Sequence, residues 1–124
     1  MKPQTVLLVF EDFQDLQTYG SMLCNLGYRI LMCDSVADAI KILETKDLSF
    51  VMVSQGSGAF EGRQVLERSH QLHPHIPVLV VARVLDTQCY LEAMELGAVD
   101  YLERPEQMDI AWVVDTQIRR TGRA

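Results

Sequence analysis

The amino-acid sequence predicts an α/β fold in which a parallel sheet is covered by helices on both faces. Five short apolar segments alternate with segments in which apolar residues recur at helical spacing. Segments that are apolar throughout are typical of strands buried on both faces, and parallel strands need crossover helices to connect them. The alternation therefore predicts a doubly wound sandwich with a five-stranded parallel sheet and five helices.

Each element is placed by its apolar run and by the residues that border it. The strands are expected at residues 6–10, 28–33, 50–54, 78–82 and 99–102, with the helices between and after them. Gly27 and Gly97 each follow a helical run, where a left-handed residue commonly ends a helix. Ser35 stands at the N-cap of the second helix, and Asp86 or Thr87 stands at the N-cap of the fourth.

The composition indicates one domain, spanning residues 1–124, because a chain of 124 residues with 48% hydrophobic residues suffices for a single core. The apolar runs are far shorter than the roughly 20 residues of a membrane span, and no signal peptide is recognisable. Cys24, Cys33 and Cys89 are odd in number and widely spaced, which favours reduced thiols in a cytoplasmic protein. A net charge of −6 repels phosphates, so we expect neither nucleic acid nor membrane as a partner.

The functional residues are expected beyond the carboxyl ends of the strands, where doubly wound sheets bind their ligands. The loop after the first strand has no glycine and three acids, which excludes a pyrophosphate site. Ser54 lacks the preceding glycine of a nucleophile elbow, and no histidine is expected at a strand end, which excludes a serine hydrolase. The glycine-containing turn at residues 56–58 offers a weak anion cradle.

One segment carries a more specific signal. Residues 97–105 read Gly-Ala-Val-Asp-Tyr-Leu-Glu-Arg-Pro, and Phe60-Glu61-Gly62 forms a second short motif. They resemble the Gly-Ala-x-Asp-Tyr-Leu-x-Lys-Pro and Met-Asp-Gly motifs of the receiver domains of two-component response regulators. The resemblance spans residues 5–120. It implies a flavodoxin-like strand order of 2-1-3-4-5, a role in signal transduction, and a cis peptide bond between Arg104 and Pro105.

The sequence departs from that family at nearly every position of its phosphorylation site. Receivers carry an acidic pair after the first strand, a phosphoacceptor aspartate at the end of the third, a hydroxyl at the end of the fourth, and a lysine before a proline. The corresponding residues here are Phe10 with Glu11, then Ser54, Ala82, and Arg104 before Pro105. Asp12 is displaced by one position toward the first helix.

These departures predict a pseudo-receiver. Magnesium requires several hard oxygen ligands, and only Glu11 and the displaced Asp12 are weak candidates, since Ser54 is neutral. We expect no enzymatic activity and no cofactor, because phosphoryl transfer depends on the metal for charge stabilisation. We also expect Phe10 to fill the vacated pocket and Arg104 to pair with Glu11.

The remaining surface predicts protein contacts. In the family, the fourth helix, fifth strand and fifth helix form the face that dimerises or meets partners. Here that face carries Leu85 and Tyr90, the switch aromatic Tyr101, and Trp112, which stands off the apolar stripe of its helix. The expected partner is another protein or a second copy of the chain.

Two alternatives stay open at this stage. In one, Glu11 and Asp12 hold a metal and Ser54 accepts a phosphoryl group. In the other, the domain is a sensor of a small anion bound at residues 56–58 together with Arg83 or Arg104.

Overall fold

The computed structural model describes residues 4–121 and shows five strands and five helices in alternation. The strands are β1 (Thr5–Val9), β2 (Arg29–Cys33), β3 (Phe50–Ser54), β4 (Val78–Ala82) and β5 (Asp100–Glu103). The helices are α1 (Phe13–Asn25), α2 (Val36–Thr45), α3 (Arg63–Leu72), α4 (Thr87–Glu95) and α5 (Gln107–Thr121). All neighbouring strands are parallel, in the order β2-β1-β3-β4-β5. The predicted fold class and strand order are confirmed.

The strand boundaries differ from the predicted ones by one residue at three strands. β1 ends at Val9, so Phe10 lies just beyond the strand, although its amide still donates to the Cys33 carbonyl oxygen (3.2 Å). β2 begins at Arg29, one residue late, and β5 begins and ends one residue late, at Asp100 and Glu103. β3 and β4 have the predicted bounds.

Alternation along β1 sends its side chains into two separate cores. Val6 and Leu8 belong to the apolar cluster that includes the buried residues of α1 and α5. Leu7 and Val9 belong to the cluster on the opposite face, with buried residues of α2, α3 and α4. Because successive residues of a strand face opposite sides of the sheet, Phe10 is expected on the same face as Val6 and Leu8.

The helices begin and end at the signals in the sequence. Ser35 and Asp86 each accept a hydrogen bond from the backbone amide three residues later, at 3.1 and 3.0 Å, so the N-cap of α4 is Asp86 rather than Thr87. Gly27 and Gly97 have φ of 93° and 97°, the left-handed conformation expected after a helix. None of the helices between residues 4 and 121 is long and apolar enough to cross a membrane.

Candidate functional site

The carboxyl ends of the strands bring the predicted site residues to one edge of the sheet. Ser54 and Ala82 are the last residues of β3 and β4, and the loops that follow β1 and β5 lie at the same edge. A small pocket opens between the ends of β1 and β3, and its lining includes Glu11, Ser54 and Glu61. This pocket forms one part of the candidate site, because Asp12, Ala82 and Arg104 do not line it.

Phe10 does not fill this pocket, which corrects the interpretation from sequence. Its ring is 2% exposed and belongs to the core cluster on the α1 and α5 face, where it packs against Tyr19 with ring centroids 5.1 Å apart. Val9 and Glu11, its neighbours in the chain, line the pocket instead. The cause is the alternation of side chains along β1, which turns Phe10 to the opposite side of the sheet.

An arginine pairs with two of the acids after β1. The Asp12 side chain caps α1 by accepting from the Asp15 amide (3.0 Å), and it also pairs with the Arg83 guanidinium (2.9 Å). Arg83 pairs with Asp15 as well (3.1 Å). The hydrogen bond from the Asp15 amide, together with Arg83, holds the pKa of Asp12 below its usual value. The Asp12 carboxylate is therefore already bonded to Arg83 and to the first turn of α1.

Ser54 is bonded within its own turn. Its hydroxyl oxygen accepts from the Gly56 amide (3.0 Å), which folds the chain back after β3. Gly62 passes so close that a Cβ there would collide with the Ser54 carbonyl oxygen. The glycine of the Phe60-Glu61-Gly62 motif is thus required by the close approach of two backbone segments.

The glycine-containing turn already holds an anion, the carboxylate of Glu61. Glu61 accepts from the Ser57 amide (2.7 Å) and from the Ser57 hydroxyl (2.8 and 3.0 Å). Hydrogen bonds from its own amide and from Ser57 hold the pKa of Glu61 below its usual value. A Cβ at Gly56 would collide with this carboxylate. The Glu61 carboxylate therefore occupies the hydrogen-bond donors of the turn. An anion from solution would have to displace it, which disfavours an anion site here.

Arg104 does not pair with Glu11, contrary to expectation. Its guanidinium donates from Nε to the Arg83 carbonyl oxygen (2.9 Å), and its backbone amide donates to the Ala82 carbonyl oxygen (2.9 Å). Within residues 4–121 no ion pair joins Arg104 to Glu11. The expected cis bond before Pro105 is also wrong, since residues 4–121 contain no cis peptide and the chain turns through a positive φ of 42° at Arg104. That turn directs the Arg104 side chain along the β4–α4 loop.

Comparison with known proteins identifies the family. The family model of the response regulator receiver domain matches residues 6–111. The chain belongs to this family. It is 25% identical over 104 residues to the transcriptional regulatory protein ZraR of Escherichia coli (strain K12), a match that covers 84% of this chain and 24% of ZraR. This receiver chain thus spans less than two thirds of the length of the curated relatives it matches.

Solved receiver structures share the fold at low identity. The response regulator receiver domain protein of Methanospirillum hungatei JF-1 superposes with a TM-score of 0.90 at 17% identity, covering 98% of both chains. The receiver domain of a sensor histidine kinase from Pseudomonas aeruginosa PAO1 has a TM-score of 0.84 at 16% identity, covering 95% of this chain and 99% of that one. That structure has magnesium coordinated in its active-site cleft. At such identities the likeness concerns the fold alone.

The side chains of this receiver do not fit a magnesium ion at the same edge. Among residues 4–121, no three His, Cys, Asp or Glu side chains are grouped closely enough to hold a metal. Glu11 is exposed at the pocket, Asp12 is bonded to Arg83 and to α1, and Ser54 contributes only a neutral hydroxyl. Magnesium keeps several of its waters and is held by carboxylate oxygens in octahedral geometry, so one exposed carboxylate beside a neutral hydroxyl is a poor donor set.

Tyr101 of the receiver is buried and connects three segments. It is 6% exposed, and its hydroxyl donates to Gln55 Oε1 and accepts from the Asp86 amide (3.1 Å). Its ring meets the edge of Tyr90 with centroids 5.6 Å apart. Burial raises the pKa of Tyr101. Tyr101 therefore belongs to the interior under the predicted face and not to its surface.

The other predicted contact residues of the receiver are exposed. Leu85 is 55% exposed, Tyr90 39% and Trp112 70%. Further exposed apolar side chains lie near Leu85 and Tyr90 in the chain, at Val84 of the β4–α4 loop and at Leu91 and Met94 of α4. This set of side chains, Val84, Leu85, Tyr90, Leu91, Met94 and Trp112, is called the apolar face below.

Sequence reasoning missed Gln55, Glu61 and Arg83 as partners. Arg83 was considered only as a possible ligand of an anion, and Gln55 was not singled out; each has a partner on another segment, Asp12 for Arg83 and Tyr101 for Gln55. Glu61 follows Ser57 by four residues, and this spacing in a loop rich in glycine was the available signal.

Proposed function

We propose that this receiver domain is a signalling module that acts through protein contacts without accepting a phosphoryl group. The observation that carries the proposal is the neutral Ser54 at the end of β3, where the family has its phosphoacceptor aspartate. Ser54 offers no carboxylate, and its hydroxyl oxygen is already the acceptor of the Gly56 amide. A serine nucleophile needs an adjacent base, and the hydrogen bonds of Ser54 provide none.

The electrostatics of the site support the same proposal. Phosphoryl transfer depends on cations that bridge and neutralise the phosphoryl oxygens. Here the arginine nearest the acids, Arg83, is engaged by Asp12 and Asp15, and Arg104 donates to a backbone carbonyl. Ala82 has no hydroxyl to bond a phosphoryl oxygen. The site therefore lacks the metal ligands, the acceptor and the hydroxyl together.

The apolar face is the proposed contact surface. Trp112 is 70% exposed on α5, and an exposed tryptophan is often an anchor of protein interfaces. The partner is a second copy of the chain or another protein of a cytoplasmic signalling system. Sedimentation velocity over a concentration series separates these two partners, because only a second copy makes the mass of the purified chain depend on concentration. In that case Trp112→Ala should shift the equilibrium toward monomer more than Gln107→Ala, which alters an exposed residue on another side of α5.

The absence of a phosphoryl site is tested with a phosphoryl mimic. The chain is titrated with magnesium and beryllofluoride while the backbone amide signals of Glu11, Ser54 and Gly56, which line the pocket, are recorded by NMR. We expect no saturable change, because Ser54 cannot supply the carboxylate that binds the mimic. A saturable response that Ser54→Ala abolishes would support the phosphoaccepting alternative. A response to phosphate alone, lost in Arg83→Gln or Arg104→Gln, would support the anion sensor.

A further inference from the structure

The hydroxyl of Tyr101 links the loop after β3 to the start of α4. As donor it bonds Gln55 Oε1, and as acceptor it receives the Asp86 amide at 3.1 Å. Asp86 is the N-cap of α4, and its side chain accepts from the Cys89 amide (3.0 Å). Gln55 is thus connected to the first turn of α4 through one hydroxyl group.

Gln55 is itself fixed at both ends of its amide. The side chain is 4% exposed; Oε1 accepts from Tyr101, and Nε2 donates to the Ser57 carbonyl oxygen (3.3 Å). Removing the partner of a buried polar group destabilises the fold by more than the net free energy of a typical hydrogen bond, because water does not replace the lost partner. Outward rotation of Tyr101 would leave Gln55 Oε1 without this donor. The buried amide therefore opposes any movement of Tyr101 out of the interior.

The same connection reaches the apolar face. Tyr90, on the second turn of α4, packs edge-on against the Tyr101 ring. Leu85 precedes the N-cap, and its amide donates to the Glu103 carboxylate of β5 (3.2 Å). The positions of Leu85 and Tyr90 are therefore tied to β5, and through Tyr101 to Gln55.

We propose that Gln55 is a positioning residue that holds the α4 part of the apolar face in one arrangement. The side chain acts through Tyr101 and needs neither a metal nor a phosphoryl group. Its consequence for signalling rests on the proposed function, since only a contact surface gains from being fixed. The arrangement itself is independent of that function.

The test is amide hydrogen exchange by NMR on the whole chain, without any partner. Gln55→Met keeps the approximate size of the side chain and removes its hydrogen bonds to Tyr101 and Ser57. Protection of the Asp86 amide is compared with that of Val51, a buried residue of β3 that reports on global opening. The ratio of the protection at Asp86 to that at Val51 corrects for any loss of global stability.

In Gln55→Met we expect the Asp86 amide to lose about tenfold more protection than Val51, the effect of about one hydrogen bond. The nuclear Overhauser contacts between the Tyr90 and Tyr101 rings should weaken in the same variant. Adding Gln55→Met to Tyr101→Phe should change the ratio no further than Tyr101→Phe alone, because the hydroxyl that transmits the effect is already missing.

Two outcomes would overturn the positioning role. One is equal loss of protection at Asp86 and Val51 in Gln55→Met. The other is an additive effect in the double variant. Neither bears on the absence of phosphorylation, which the magnesium and beryllofluoride titration tests separately.

Discussion

Arg83 reaches from the loop after β4 to Asp12 in the loop after β1, with 2.9 Å between Nη2 and Oδ2. The same nitrogen lies 3.1 Å from Asp15 Oδ2, so one guanidinium serves two carboxylates. A receiver that binds metal needs its acids to face an ion, whereas here an internal cation engages them. The guanidinium thereby favours the ionised form of Asp12.

The first prediction concerns Asp12 and pH. Because its pKa is lowered in the folded chain, ionised Asp12 stabilises the fold above its unfolded pKa of about 3.9, and this contribution is lost as the pH falls through the lower folded value. Asp12→Ala should therefore lower the free energy of unfolding at neutral pH, and the difference from wild type should shrink below about pH 4. Urea denaturation over a pH series measures it. Glu106→Ala removes another exposed carboxylate and serves as control; a difference for Asp12→Ala that does not vary with pH would contradict the prediction.

The second prediction concerns the burial of Phe10. Its ring is 2% exposed and packs against Tyr19, so Phe10→Ala should lower the free energy of unfolding by about 3–5 kcal/mol. Phe13→Ala is the matched control, because Phe13 is 71% exposed and its truncation should matter by about 0.5 kcal/mol or less. Urea denaturation at neutral pH compares the two. Similar losses in both variants would place Phe10 outside the core.

The third prediction concerns the close approach behind Ser54. A Cβ at Gly62 would collide with the Ser54 carbonyl oxygen, whereas a Cβ at Gly58 would meet Asp86 Oδ2 at 3.4 Å, an ordinary contact. Gly62→Ala should destabilise the chain by about 1–3 kcal/mol, the usual range for overpacking, and Gly58→Ala by less. Thermal and urea unfolding of the two variants decide it. Equal stability would mean that the turn and β3 separate readily.

The fourth prediction concerns thiol reactivity. Burial, the largest cause in both cases, raises the pKa of Cys33 and of Cys89 to about 11, whereas Cys24 is exposed. Because the thiolate is the reactive form, iodoacetamide at pH 8 should modify Cys24 well before the other two. Peptide mass spectrometry over time measures the order. Fast labelling that persists in Cys24→Ser would contradict the assignment.

The sequence predicted the fold and the residues that lie at the carboxyl edge of the sheet. It did not predict which of these residues contact one another. Alternating apolar and helical segments predicted the parallel sheet, and the ends of its strands correctly brought Ser54, Ala82 and Arg104 to one side. The same alternation turns the ring of Phe10 into the core, although its neighbours Glu11 and Asp12 are acidic. The alternation of side chains along a strand predicts the face on which a side chain lies better than the charge of its sequence neighbours does.

The partners of Glu61, Gln55 and Arg104 depended on loop conformations that no period predicts. Glu61 bonds Ser57 across a turn in which Gly56 and Phe60 have φ of 82° and 55°. Arg104 takes a positive φ of its own, so its side chain leaves in a direction that an extended strand end does not suggest. Side-chain partners in loops follow from backbone turns, and these turns are weakly encoded by single residues.

The central claim is that this chain, with Ser54 in place of an aspartate, accepts no phosphoryl group. Intact-mass spectrometry tests it most directly. The chain is incubated with acetyl phosphate and magnesium beside a variant carrying Ser54→Asp, Ala82→Thr and Arg104→Lys, which supplies the missing acceptor, hydroxyl and lysine. We predict no added phosphoryl mass on the natural chain, and a fraction of phosphorylated, hydroxylamine-sensitive product on the variant. Stoichiometric phosphoryl mass on the natural chain, resistant to hydroxylamine and lost in Ser54→Ala, would contradict the claim.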